Sequence, residues 1–409
     1  MSVTIEAIRE AREHIKGVVN RTPIVADAQL SASLGASIHL KAENLQKSGS
    51  FKIRGAYNKI SRLSDSDKER GVIAASAGNH AQGVAQAATM VGAASTIVLP
   101  EFAPLTKINA TRRLGGNVVL YGRSFDEAVA YSKELCAERE LTYVHAFDDE
   151  AIIAGQGSIG IEISEDLPNA TVIVVPIGGG GVIAGTAIAA KALMPNVRVI
   201  GVQTEAVNSV KPSLAAGEPL EAIAAPTIAD GIAVKRPGEL TLPIIRELVD
   251  EIVLVSEDEI AKGIFHCVQN AKLVVEGAGA AGVAALLAGK IDLRPNDTVA
   301  AVLCGGNIDA NLLARVLEQV LVTQGRYVML SVLVPDRPGN LASMLDTVAA
   351  CGANVIEVFH RRAMWLTPLG HVGIEILLEV RDREHSLEVE SRLRAAGFNV
   401  ECESKDAAA

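Results

Sequence analysis

From Val72 onward, short apolar runs alternate with longer segments of helical period, and this regularity constrains the fold more than any other feature of the chain. Strand patterns fall at residues 72–75, 96–99, 118–121, 143–146, 171–176, 197–203, 253–255 and 299–303. Helical patterns follow at 80–91, after Pro104, from a Ser124 cap through 140, at 150–165 and at 311–322. Strand, helix, strand at this spacing means α/β with mainly parallel sheets and helices on both faces. Ligands then belong at the carboxyl ends of the strands. Composition agrees: the chain is 49% hydrophobic but only 3% aromatic, so Ala, Val, Ile and Leu must build the core. That suits strands buried on both faces. Ahead of the series, 4–17 reads as a helix broken by Arg21-Thr22-Pro23, and 37–43 (SIHLKAE) alternates like a strand.

After Thr323-Gln324-Gly325 the pattern changes. Strands at 327–334, 355–361, 371–380 and 398–402 with helices at 338–350 and 386–396 give β-α-β-β-α-β, the split order of a ferredoxin-like unit. This stretch is large enough to be a separate domain.

Several classes are excluded. A net charge of −10 without any Lys/Arg block argues against a nucleic-acid partner. The cysteines (Cys136, Cys267, Cys304, Cys351, Cys402) are scattered and lack CxxC spacing, as reduced cytoplasmic thiols would be. The N-terminus is mixed in charge, unlike a signal peptide. The longest apolar runs contain glycines and predict no membrane span.

Four segments carry chemistry. In SGSFKIRGAY (48–57), Lys52 follows a Ser-Gly-Ser turn between Phe51 and Ile53. Apolar neighbours lower an amine's pKa, and such an amine is a nucleophile for an aldehyde. Alone, it reads more simply as a surface lysine at a helix start. In ASAGNHAQGV, a strand ends in a Ser-Ala-Gly-Asn loop that opens a helix, whose free N–H groups, with the Ser76 and Asn79 side chains, favour a carboxylate or phosphate. An ordinary capped loop explains that segment equally well. In IGGGGVIAG (177–185), four successive glycines after TVIVVP can close around a small anion. Gly179-x-Gly181-x-x-Ala184 with Glu205 also fits a dinucleotide fingerprint, so a nicotinamide dehydrogenase is a rival. In LCGGN (303–307), Cys304 ends the last long strand, either beside the glycine loops or as a buried structural thiol. Glu276, in VVEGAGAAG, either approaches a ligand or is a buried, hydrogen-bonded carboxylate.

Taken in order, SFKIRGA, SAGNHAQG, GGGG and CGGN resemble the fold-type II pyridoxal-phosphate enzymes, in the threonine dehydratase and serine racemase branch, over residues 1–322. The remainder resembles an ACT regulatory domain, through DRPGNLA at 336–342. The resemblance implies two open, mainly parallel sheets: a large pyridoxal-phosphate-binding domain (1–45 and 148–322) and a small domain (46–147), followed by an ACT domain (326–405). It implies that Lys52 carries pyridoxal 5'-phosphate and is the base for the substrate Cα proton. Phe51 packs on the ring, Asn79 bonds its 3-hydroxyl, Gly178, Gly179, Gly180, Gly181 and Val182 cradle the phosphate, and Cys304 faces the pyridine nitrogen. Ser76, Ala77, Gly78, Asn79 and His80 hold the substrate carboxylate. A thiol enforces no pyridinium, so the ring is a mild electron sink and β-elimination is favoured over transamination. Racemases of the branch carry a second serine where this chain has Ala77, so a dehydratase is expected over a serine racemase.

The expected reaction converts L-threonine, and less well L-serine, to 2-oxobutanoate or pyruvate and ammonia. Gly339 and Asn340 are the expected effector site for isoleucine, valine or a nucleotide, in a homodimer or homotetramer. A cation accompanies related enzymes, but no matching ligand pattern occurs around 203–209. A non-catalytic amino-acid sensor on the same fold is a third class, disfavoured by the presence of all the site segments.

Overall fold

The computed structural model describes residues 3–361 and 368–402. Residues 403–405 of the expected C-terminal domain, and 362–367 within it, lie outside the described residues. The chain divides into two compact units, Met1–Asp309 and Ala310–Ala409.

The first unit is built on two sheets. Its strands in chain order are β1 (Ile24–Ala26), β2 (Ser37–Lys41), β3 (Val72–Ala75), β4 (Ser95–Leu99), β5 (Asn117–Leu120), β6 (Thr142–Tyr143), β7 (Val172–Pro176), β8 (Arg198–Thr204), β9 (Glu251–Val255) and β10 (Thr298–Val302). The larger sheet has the order β1-β2-β10-β7-β8-β9, parallel except where β1 pairs antiparallel with β2 at the edge. The smaller sheet, β5-β4-β3-β6, is parallel throughout. Every residue of β7 and β10 is buried, as befits central parallel strands with helices on both faces. The large-sheet core is aliphatic, with Ile159, Ile173, Val175, Ile183, Val199 and Val302 packed together. A second core, including Ile53, Val72, Val84, Ile97 and Leu99, lies against the small sheet.

Lys52–Ile60 is a helix wedged between these cores. On one side a Cβ at Gly83 would lie 3.1 Å from Lys52 Cβ. On the other, a Cβ at Gly155 would lie 2.6 Å from Gly55 Cα. Glycine is what lets the backbones approach so closely.

The second unit opens with the helix Ala310–Thr323. It continues through β11 (Tyr327–Pro335), helix Asn340–Ala350, β12 (Asn354–Arg361), β13 (His371–Glu379), helix Arg383–Ala395 and β14 (Asn399–Cys402). The sheet order is β12-β13-β11-β14, antiparallel throughout. Helix Ala310–Thr323, read from the sequence as closing the first series, belongs with this unit, so the division falls at 309 and not 322. Its buried residues are Val316 and Val320. Among the described residues no helix is long and apolar enough to cross a membrane.

Candidate active site

The segments that follow β3, β6, β7 and β10 meet the lysine loop in the first unit. The lysine loop is stitched to the end of β10: Phe51 N–H donates to Cys304 O at 3.2 Å, Gly306 N–H to Gly49 O at 2.9 Å, and Ser50 bridges Gly305. Asn307 completes the join, donating through Nδ2 to Ser48 O and to Asn79 Oδ1, each at 2.8 Å. Gly49 is at φ +73°, and a Cβ there would lie 2.3 Å from Asn307 Oδ1.

Lys52 begins its helix, with its Nζ donating to Ala146 O at 2.7 Å and 5.2 Å from the Phe51 ring centroid. Burial lowers its pKa to about 8, against the opposing charge of Glu276. Phe51 is buried beside it.

The glycine loop connects β7 to the helix Gly181–Leu193. Among the described residues no protein oxygen accepts from the N–H groups of Gly178, Gly179, Gly180, Gly181 or Val182. Unpaired donors at a helix start are an anion site. Gly180 sits at φ +98°, a conformation that suits glycine. Gly179 faces Phe147, whose ring a Cβ would meet at 2.4 Å. Phe147, in contact with the loop, directly follows Ala146, whose carbonyl holds Lys52. Asp148 fixes the far side by accepting from the N–H groups of Leu240 (2.9 Å) and Thr241 (3.3 Å), while Thr241 Oγ1 donates to Gly179 O at 2.7 Å.

Asn79 opens the helix Asn79–Met90 after β3. Its Oδ1 accepts from Asn307 and its Nδ2 donates to Glu276 Oε1, which leaves one Nδ2 hydrogen without an acceptor among the described residues. In the same loop, Ser76 Oγ accepts from Gly78 N–H at 3.1 Å, and Ala77 is half-buried. The His80 ring is held through Nε2–H, which donates to Val144 O at 2.9 Å. Burial and Lys52 lower its pKa to about 3, so it is neutral.

Glu276 stands just before the helix Gly277–Leu287, without a side-chain capping bond, and is buried. Burial, then Asp230, raises its pKa to about 7, against the Asn79 hydrogen bond. Lys107, from the small sheet's side, pairs with that Asp230. Cys304 is buried, and burial, then Glu276, pushes its thiol far up, so it stays protonated.

Lys52, Asn79, Glu276 and Cys304 thus form one linked site with the glycine loop nearby. Asn307, Ala146, Phe147, Asp148 and Thr241 were not assigned roles from sequence. Asn307 had a signal, standing at the end of LCGGN; Phe147 and Asp148 follow β6 with none. Glu205, needed by the dinucleotide reading, accepts from Lys290 at 3.3 Å in a turn after β8. Gln203 Oε1 accepts from Val210 N–H at 3.0 Å, and among the described residues no cluster of His, Cys, Asp and Glu is placed to hold a metal. Gly339, at φ +93°, caps the helix Asn340–Ala350 in the second unit, where Asn340 Nδ2 donates to Pro335 O.

Known proteins bear on this site. The pattern of the pyridoxal-phosphate dependent enzyme family matches residues 15–305. The L-threonine ammonia-lyase of Thermotoga maritima is 50% identical over 398 residues, 97% of this chain and 99% of that protein. The processed form of threonine deaminase isoform 2 from Solanum lycopersicum superposes with a TM-score of 0.73 at 38% identity, covering 77% of this chain and 92% of that one. Maize serine racemase superposes with a TM-score of 0.73 at 34% identity, covering 80% and 100%.

Proposed function

The chain belongs to the pyridoxal-phosphate dependent enzyme family, and from that premise we propose that it is a lyase converting L-threonine to 2-oxobutanoate and ammonia, with L-serine a poorer substrate. This replaces the nicotinamide reading. The observation that carries it is a single juxtaposition: the desolvated Lys52 amine on Ala146 O, with the next residue, Phe147, packed on the glycine loop.

The residues fit the cofactor. The free N–H groups of 178–182 would hold its phosphate, the spare Nδ2 hydrogen of Asn79 its ring hydroxyl, and the Lys52 amine its aldehyde. Bound pyridoxal phosphate supplies the aldehyde for the substrate amine and the electron sink that acidifies the substrate Cα–H. Lys52, with a pKa of about 8, is partly neutral near pH 7.5 and can take that proton at Nζ. Cys304 remains a neutral thiol, so it adds no charge to the ring and favours loss of the β-hydroxyl. Ser76, Ala77, Gly78, Asn79 and the His80 backbone form the loop for the substrate carboxylate. Ala77 offers no hydroxyl to return a proton to the opposite face, so racemisation is slow.

In the second unit, the β-α-β-β-α-β order and the Gly339-capped helix support an ACT domain that binds isoleucine, valine or a nucleotide in a homodimer or homotetramer. An effector binding one quaternary state better would shift the equilibrium. Threonine kinetics unmoved by all of these ligands would remove that part.

Borohydride reduction of the loaded enzyme should place a pyridoxyl label on the Lys52 peptide. Lys52→Ala should lose the label and lower kcat by about 10³-fold or more. D-serine formation from L-serine should be negligible beside pyruvate. A label on another lysine overturns the assignment.

A further inference from the structure

Two residues beyond Lys52, the same helix buries an arginine. Arg54 is 0% exposed, as are Lys41 and Glu43, and Glu162 is 5% exposed. Arg54 grips Glu43 with a fork, Nε to Oε2 and Nη2 to Oε1, each at 2.8 Å. It grips Glu162 with a second, Nη1 to Oε1 at 2.7 Å and Nη2 to Oε2 at 2.9 Å. Ser158 Oγ and Asn20 O accept its remaining bonds. Lys41 Nζ donates to Glu162 Oε2 at 2.6 Å and to Thr22 O at 2.7 Å, and Thr22 Oγ1 donates to Glu43. Two positive and two negative charges cancel, and every member is hydrogen-bonded.

Buried ion clusters are a poor route to stability, because apolar side chains of equal volume often do as well. What such a cluster supplies is direction: paired forks fix position and angle together. Lys41 ends β2, Glu43 follows it, and Glu162 lies on the helix Glu150–Asp166 that packs on the large sheet. Just before Lys52, the Phe51–Cys304 bond and the Ser50–Gly305 bridge join the chain to β10 of that sheet. Lys52 is therefore bracketed by polar anchors on the side that carries the glycine loop. Toward the small sheet, its helix offers apolar packing through Ile53, Ala56 and Ile60.

We propose that Arg54 is the positioning residue for Lys52: through its forks to Glu43 and Glu162 it fixes the first turn of the helix to the large-sheet side, so that Lys52 keeps its place relative to the glycine loop while the Asn79 loop belongs to the other sheet. This rests on the reading of Lys52 as the reacting amine.

The test uses the full chain with cofactor removed, and follows acetylation of the Lys52 peptide by acetic anhydride against pH. Wild type should be half-reactive near pH 8. The charge-balanced pair Arg54→Met with Glu43→Gln keeps the Lys41–Glu162 bridge. Its half-reactivity point should rise by about one pH unit as the amine leaves its buried seat. On reloading, kcat should fall about ten- to a hundredfold while KM for threonine stays within about threefold. Arg54→Lys, a charge without a fork, should lie between. Leu135→Ala, a core change in the helix Phe125–Glu138 away from these anchors, should lower Tm yet leave the labelling profile where it was. A folded double variant with wild-type labelling and kcat overturns the proposal. If the double variant does not fold, a wild-type profile in Arg54→Lys overturns it. Failure of wild-type Lys52 to take the pyridoxyl label would instead sink the functional reading, since the acetylation profile needs no cofactor.

Discussion

Glu276 shows what a sequence leaves open at the scale of one residue. Its neighbours VVEGAGAAG allow either a carboxylate that approaches a ligand or a buried, hydrogen-bonded one, and the structure shows it buried and accepting from Asn79. Its folded pKa, raised from 4.5 to about 7, means that near pH 6 the native protein holds a proton that the unfolded chain has lost. Stability from this group is therefore full below about pH 4.5 and is lost as pH rises through 7. Glu276→Gln should change urea stability little at pH 5 and raise it by roughly 1–3 kcal/mol at pH 8. Equal differences at the two pH values would refute the buried-acid account. Lys52, Asn79 and Cys304 were legible because each sits in a motif at a strand or helix end. Arg54 and Asn307 lie inside quoted motifs, yet each has a partner over 100 positions away in sequence, Glu162 for Arg54 and Asn79 for Asn307. No local pattern encodes such a pairing.

At the scale of elements, the Lys52–Ile60 helix is held by crossings too tight for a methyl group. Gly155→Ala would bring a Cβ to 2.6 Å from Gly55 Cα and 2.7 Å from Arg54 O, backbone atoms that cannot swing aside. It should cost about 1–3 kcal/mol and lower Tm by about 3–10 °C in a thermal melt. An unchanged melt would mean the helices are not in contact as described. The central strands were readable from sequence because their apolar runs are short, β-branched and bounded by glycines or polar turns. The helices Val210–Ala216, Thr241–Leu248, Glu257–His266 and Gly277–Leu287 were not identified. In the last, GAGAAGVAALL, nearly every position is buried, so no polar face marks the helical period. At three residues, β1 is too short to show alternation.

For the whole molecule, the decisive feature is the division at Asp309. The family match lies wholly within the first unit, and the second has its own core of Leu330, Val332, Met344, Ile374, Ile376 and Val389. A chain ending at Asp309 should still take up cofactor and turn over threonine within about tenfold of the full chain, but lose any response to isoleucine or valine. Steady-state assays of both chains, with and without those amino acids, check this. The sequence announced the second unit by its change of period after Gly325, but not that the preceding helix goes with it, because a two-residue buried stripe does not name its partner. One consequence belongs to the whole first unit. Despite burial, Glu43 and Glu162 hold Arg54 above the ordinary guanidinium range, and despite burial, Arg54 and Lys41 hold Glu162 below the ordinary carboxylate range. Lys52 and Glu276, by contrast, exchange protons close to neutrality. A drift in the acidity of the surroundings near neutrality therefore changes the charge on Lys52 while the forks between Arg54 and Glu162 stay ionised.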